Sequence, residues 1–288
     1  MKILSCLLIL CIFVNTPCSK ATDPVVEFAS KAQAAYSKKN YEEAFEYYKK
    51  AADLGDAKAM CGLGVLYHSG EGVIKDYKEA IKWYKKAAEL GSAQAMFGLG
   101  IIYANGGLGV TKDYKEAVKW HQKAAELGIA DSMYNLGFMY AHGEGVSQDY
   151  TEAIKWYKKA ANLGNFKAMY NLGSMYASGE GVSQDYTEAL KWYRDGAESG
   201  DSNAMCNLGV LYYLGVGVTK DYAEAIKWYK KAAELGNADG MFGLGIIYLK
   251  GAGVTKNPQE AKYWIKKAYD AGHEKAKDTW NRLKMWEY

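Results

Sequence analysis

The phrase Asp-Tyr-x-Glu-Ala-x-Lys-Trp occurs five times in this 288-residue chain, beginning at Asp76, Asp113, Asp149, Asp185 and Asp221. The steps between copies are 37, 36, 36 and 36 residues; a degraded sixth copy begins at Asn257 and a shorter relative at Asn40. Self-similarity at this period marks a solenoid, because a unit of this size cannot bury its own apolar face and must lend it to its neighbours. Length alone would allow two domains, but a solenoid grows in one dimension without enlarging a central core. With 49% apolar residues, the body of the chain is not disordered.

One repeat, residues 56–91, shows the logic. Met60, Leu63, Gly64 and Tyr67 fall on one face of a helix. Gly70-Glu-Gly72-Val73 breaks that pattern. Asp76 with Glu79 then reads as a capping box, repeated at Asp113/Glu116, Asp149/Glu152, Asp185/Glu188, Asp221/Glu224 and Asn257/Glu260. The second helix turns Ala80, Trp83, Tyr84 and Ala87 inward and ends at Gly91, a left-handed C-cap. The spacing predicts helix, glycine loop, helix over 56–91, 92–128, 129–164, 165–200, 201–236 and 237–272. The extra residue of the second unit falls in its loop, Gly106 to Gly109. Residues 25–55 read as a helical pair without the glycine loop, and 273–288 as a final amphipathic capping helix.

The first residues read separately. Lys2 precedes an apolar run from Ile3 to Val14, too short to span a bilayer but suited to a secretory signal, with cleavage expected after Ala21. The expected mature protein is therefore exported, periplasmic or secreted, with no membrane span. Removing 1–21 takes Lys2 and Lys20 from the 36 basic side chains and none from the 33 acidic ones. A balance so near neutral gives no pull toward nucleic acid or an anionic membrane, and a nucleic-acid role is rejected. Cys6, Cys11 and Cys18 leave with the signal, while Cys61 and Cys206 remain four repeats apart. Bridged cysteines need Cα atoms within roughly 7 Å, so these two are read as unbridged small hydrophobes.

The pattern A-x-A-M-x-x-L-G-x-x-Y, then G-x-G-V-x-x-D-Y-x-E-A-x-K-W-Y-x-K-A-A-E-x-G, resembles the Sel1-like repeat, a branch of the tetratricopeptide superfamily; it covers 56–272 six times over. Residues 25–55 look closer to an ordinary tetratricopeptide repeat. The resemblance implies an all-α, right-handed superhelical α-solenoid and a monomeric adaptor that binds a protein or peptide. One subgroup, the cysteine-rich proteins of Helicobacter, staples its two helices with a disulfide and has been credited with β-lactamase activity. Those cysteines would fall where this chain has Ala88 and Met96. A β-lactam-binding or β-lactamase-like cell-wall enzyme is the alternative reading.

Nothing in the chain adds catalytic chemistry. His68, His121, His142 and His273 fall at different repeat positions without metal-ligand spacing and read as surface residues. No serine has Lys three residues on, and no Gly-x-Ser-x-Gly occurs. Stretches such as Gly62-Leu-Gly64 lie inside helix patterns and read as packing, not phosphate loops. Trp83, Trp120, Trp156, Trp192, Trp228 and Trp264 recur at one beat and read as packing residues. No catalytic residue, metal or cofactor is expected. Variability is confined to first-helix positions off the core stripe. These include Phe97, Tyr134, Asn135, Phe138, Tyr170, Asn171, Ser174, Asn207, Tyr213 and Phe242, the expected partner-binding groove. Asn suits a peptide backbone, and Tyr offers stiff amphipathic area.

Overall fold

Each repeat folds into two helices because its sequence both starts and stops them. The computed structural model describes residues 23–283. The expected signal segment, and residues 284–288 of the expected capping helix, lie outside the described residues. Helices α1 (Pro24–Ser37) and α2 (Tyr41–Asp53) form the first hairpin. Five hairpins with the glycine loop follow: α3 (Ala57–Ser69) with α4 (Tyr77–Glu89), α5 (Ala93–Asn105) with α6 (Tyr114–Glu126), α7 (Ala130–His142) with α8 (Tyr150–Asn162), α9 (Phe166–Ser178) with α10 (Tyr186–Glu198), and α11 (Ser202–Leu214) with α12 (Tyr222–Glu234). A sixth joins α13 (Ala238–Lys250) to α14 (Pro258–Asp270), and α15 (Glu274–Leu283) closes the described chain. Among the described residues the only β pairing is an isolated bridge, Gly107 with Val110, inside the loop that carries the extra residue. The fold is an all-α repeat solenoid.

The caps differ from the expected box in one respect. Asp76 accepts from the backbone N–H of Lys78 (2.8 Å) and Glu79 (3.1 Å), as an N-cap should. The reciprocal bond from Glu79 does not form, because the Asp76 N–H already donates to the Tyr67 carbonyl at 2.9 Å. The same backbone bond ties Asp113 to Tyr103, Asp149 to Tyr140, Asp185 to Tyr176, Asp221 to Tyr212 and Asn257 to Tyr248. It pins each glycine loop across its own hairpin. The relieved glutamates reach forward instead, as in Glu152–Lys155 and Glu188–Lys191, both at 2.9 Å. Such exposed pairs contribute roughly 0–1 kcal/mol each. At the other end Gly91 takes φ +83, the left-handed stop the sequence predicts, one residue beyond Leu90.

What joins the two helices of a hairpin is a ring seated on a glycine. Tyr84, His121, Tyr157, Tyr193 and Tyr229 occupy one slot of the second helix, and Ile265 takes it in the last hairpin. Facing them on the first helix are Gly64, Gly100, Gly137, Gly173, Gly209 and Gly245. A Cβ built on Gly173 would lie 2.6 Å from the Tyr193 ring. Alanines at 0% exposure, such as Ala80 and Ala87, let the backbones approach on either side. Burying each such ring stabilises by roughly 1.5–3 kcal/mol.

The tryptophans are less buried than a core reading implies. Trp228 is buried, while Trp83, Trp120, Trp156, Trp192 and Trp264 are half-covered. Lysine ammonium groups lie over several of these rings, for example Lys159 at 4.0 Å from the Trp156 centroid.

First helices also pack on one another along the stack: α3 on α5, α5 on α7, α7 on α9, α9 on α11 and α11 on α13. Second helices do not stack on each other in this way. The stack is therefore tighter on its first-helix side, which is the inside of the curve.

Gly173→Ala is expected to destabilise the protein by about 1–3 kcal/mol, since the Tyr193 ring cannot yield without leaving its slot. Urea denaturation followed by circular dichroism measures it. A loss below about 0.5 kcal/mol would contradict the ring-on-glycine account.

Candidate functional site

The inner face carries one cavity at each junction between glycine-loop hairpins, five in succession. The α3/α5 junction holds about 490 Å³, α5/α7 about 280, α7/α9 about 380, α9/α11 about 400 and α11/α13 about 360. Each has the same plan. Its floor is the glycine-seated ring, in order Tyr84, His121, Tyr157, Tyr193 and Tyr229. Its walls are off-stripe residues of two neighbouring first helices, and in four junctions residues of the glycine loop form a rim.

All ten residues expected in the groove line these cavities. Phe97 stands at α3/α5, and Asn135 with Phe138 at α5/α7. Tyr134, Asn171 and Ser174 join Phe138 at α7/α9. Asn207 meets Ser174 at α9/α11, and Tyr170, Tyr213 and Phe242 line α11/α13 with Asn207. The asparagines also hold the floor, a role the sequence reading did not assign. Asn135 Nδ2 lies 3.4 Å from His121 Nε2. Asn171 stands beside Tyr157 and Tyr134 in the α7/α9 cavity, and Asn207 beside Tyr193 in the α9/α11 cavity. The Ser174 hydroxyl lies 3.1 Å from that of Tyr193.

Sequence reasoning passed over the floor rings as sites, placing Tyr84 in the core only. It also passed over rim residues such as Lys75, Lys112, Glu144 and Glu180. A signal for the rings was present. Gly62, Gly98 and Gly243 stand two residues before the seating glycine, where Asn135, Asn171 and Asn207 stand in the middle repeats. A side chain tolerated at that beat must face the ring of the preceding hairpin.

The histidines correct the surface reading, which holds only for His142. His121 is 1% exposed and fills the ring slot, with Nδ1 3.4 Å from Ser132 Oγ. Ser132 is itself fully buried where neighbouring repeats have Ala95 and Ala168, so the imidazole brings its own partner. Burial holds the His121 pKa down at about 4. His273 is half-buried, stacked on Phe242 with ring centroids 4.5 Å apart. Its Nε2 lies 3.0 Å from Asp239 Oδ1, and its Nδ1 accepts from the Ala276 N–H at 3.0 Å, capping α15. His68 is half-buried edge-on against Tyr77.

The α11/α13 cavity gathers Cys206, His273 and Asp239, and is the densest in potential chemistry. Burial, reinforced by the Asp239 charge, pushes the Cys206 thiol up to about 12, so it stays protonated and is a poor nucleophile. Both Cys61 and Cys206 are free. Burial also raises the Tyr84, Tyr157 and Tyr229 phenols, which remain neutral donors. Among the described residues no group of three or more His, Cys, Asp or Glu could hold a metal ion. Nor is any helix there long and apolar enough to cross a membrane.

The Sel1 repeat family matches this chain seven times, over residues 33–56, 57–92, 93–129, 130–165, 166–201, 202–237 and 238–273. The chain is a Sel1-repeat protein. The first match falls on the hairpin whose sequence looks closer to a plain tetratricopeptide unit. Among solved structures, a Sel1 repeat protein from Oxalobacter formigenes is 41% identical, covering 84% of this chain and 99% of that one at a TM-score of 0.77. The protein c5321, a protective antigen of uropathogenic Escherichia coli with a Sel1-like repeat fold, is 33% identical, covering 91% and 67% at 0.62. Cysteine rich protein B of Helicobacter pylori is 29% identical over 45% of this chain, at a TM-score of 0.37 that carries no functional argument. No curated protein matches. Sel1-repeat proteins are generally protein-interaction scaffolds, and the row of cavities lies on the face that such a Sel1 stack leaves open.

His121 makes this groove acid-sensitive. Its pKa falls from 6.5 to about 4 on folding, so its contribution is complete above pH 6.5 and lost as pH falls toward 4, where the unfolded chain binds the proton first. The full loss is about 3 kcal/mol. His121→Tyr, the residue of four sister junctions, is expected to remove that part of the pH dependence. Comparing urea midpoints of the two proteins between pH 7 and 4 checks it.

Proposed function

We propose that the protein is a non-catalytic scaffold that binds a protein or peptide segment along the groove formed by α3, α5, α7, α9, α11 and α13. The observation that carries this reading is the repetition of one cavity plan at five consecutive junctions. A small-molecule site needs one enclosed pocket with convergent polar groups. A row of open pockets on a rigid stack suits a ligand that is itself linear, and a preformed groove spares the protein its own ordering cost of binding. The reading includes export: the first 21 residues have the composition of a secretory signal, and the partner would be met in the periplasm or outside the cell.

The β-lactam alternative finds no support in the cavities. The thiol beside a histidine and an aspartate is held protonated, and the sequence has neither Ser-x-x-Lys nor Gly-x-Ser-x-Gly. Purified protein is expected to leave a chromogenic cephalosporin unhydrolysed.

Ser174→Arg combined with Val210→Arg tests the groove. These two residues line three adjoining cavities between them, and each is only half-buried. Affinity capture with the wild type, followed by mass spectrometry, is expected to retain a partner that the double variant loses at least tenfold. The circular dichroism melt of the variant should stay within a few degrees of wild type. Equal capture by both proteins would move the binding surface elsewhere.

A further inference from the structure

The five junctions are not alike at the position two residues before the seating glycine. Gly98 and Gly243 stand there at the outer junctions, and Asn135, Asn171 and Asn207 at the three between. At the outer junctions the floor ring lies hard against the helix: a Cβ on Gly98 would be 2.7 Å from Tyr84, and one on Gly243 2.9 Å from Tyr229. In the middle an amide replaces that close packing and stands against the ring. The Asn135 Nδ2 lies 3.4 Å from His121 Nε2, and Asn171 and Asn207 stand beside the Tyr157 and Tyr193 rings in the cavities they share. An amide that turns its NH2 to the ring, as Asn135 does, offers its carbonyl Oδ1 to the groove as an acceptor.

The rim differs in charge along the same stretch. Glu144 and Glu180 occupy equivalent loop positions at α5/α7 and α7/α9, where the two following repeats have Val216 and Ala252. Neither glutamate is ion-paired with a described residue, unlike Glu152 and Glu188 on the second helices. Lys112, which shares the α5/α7 cavity with Glu144, is engaged with the Tyr114 hydroxyl at 3.1 Å.

On the premise that the groove holds a polypeptide, we propose that its middle binds an extended segment carrying basic side chains, with Asn135, Asn171 and Asn207 reading the backbone and Glu144 and Glu180 the charge. A helical ligand has already satisfied its own N–H and C=O groups and gains nothing from a row of acceptors. An extended one presents one of each per residue and needs partners for them when water leaves. The spacing agrees. First helices in contact lie roughly 8–10 Å apart, and an extended chain advances roughly 3.3 Å per residue. One junction thus takes about three residues, and the asparagine row about nine.

The test uses three acetylated, amidated, dye-labelled twelve-residue peptides in fluorescence anisotropy at low salt. One is four repeats of Lys-Thr-Ser, the second has Glu for each Lys, and the third is the lysine peptide N-methylated at every serine. The lysine peptide is expected to bind, the glutamate peptide at least about tenfold more weakly, and the methylated peptide about tenfold more weakly through lost backbone bonds. Asn171→Gly, which installs the residue of the outer junctions, should weaken the lysine peptide and narrow its preference over the methylated one. Glu144→Gln with Glu180→Gln should erase most of the preference over the glutamate peptide. Equal binding of all three peptides, or no binding of the lysine peptide, overturns the proposal. If the methylated peptide binds as well as its parent and Ser174→Arg/Val210→Arg still blocks both, the groove stands and the backbone reading falls. If the Arg variant binds the lysine peptide undiminished, the groove itself falls.

Discussion

The stack depends on one contact: in five of the six glycine-loop hairpins an aromatic ring of the second helix rests on a glycine of the first, and Ile265 takes that slot in the sixth. The contact brings the two backbones together and leaves the far edge of the ring facing the next hairpin. The stack propagates through that edge. Tyr84 touches both Gly64 behind it and Gly98 ahead of it, and Tyr229 does the same between Gly209 and Gly243. Because one ring serves two first helices, those helices are held closer to each other than the second helices are. The curve of the solenoid follows from this, and so do the cavities, whose floors are the rings themselves.

A floor that also carries the packing constrains what can vary. The ring cannot shrink without loosening two hairpins, so diversity falls on the slots around it. The one departure in the middle of the stack shows the coupling. Where the ring becomes His121, the next first helix carries Ser132 in place of an alanine and Asn135 in the slot facing the ring, and both contact the imidazole. An imidazole in an apolar slot would leave buried nitrogens unpaired, at a cost of about 1–3 kcal/mol. Polarity at the floor and polarity at its neighbours therefore arrive together.

Most of the architecture was legible because periodicity, glycine loops and N-cap aspartates each act locally. Asp149 caps α8 wherever the rest of the chain goes. That the variable first-helix positions line cavities was legible too, since packing leaves those positions off the core stripe. What stayed hidden depended on contacts between repeats. Glu79 looked like half of a capping box until the Tyr67 carbonyl took the N–H it would have accepted. His121 looked like a stray surface residue because its spacing was compared with other histidines. Its alignment with Tyr84, Tyr157 and Tyr193 was the informative comparison. Juxtapositions such as Asn207 with Tyr193 join residues fourteen apart on different hairpins, and only aligning the repeats on one another brings them out.

The same reasoning gives the recognition proposed for the middle of the stack a physical basis. Glycine ahead of the ring gives the tightest junction and an apolar, featureless floor. Asparagine there trades part of that close packing for a polar group against the ring, as where Asn135 Nδ2 lies 3.4 Å from His121 Nε2. A stack made only of glycine junctions would be uniform and unselective; one made only of asparagine junctions would lose close packing at every step. With two glycine junctions ahead of the asparagines, at Gly62 and Gly98, and one after them at Gly243, the chain keeps its tight joints at the ends, where hairpins have fewer neighbours and fraying starts. The polar joints sit where both sides are supported. On the proposed reading, stability and selectivity are divided along the length of one repeated device.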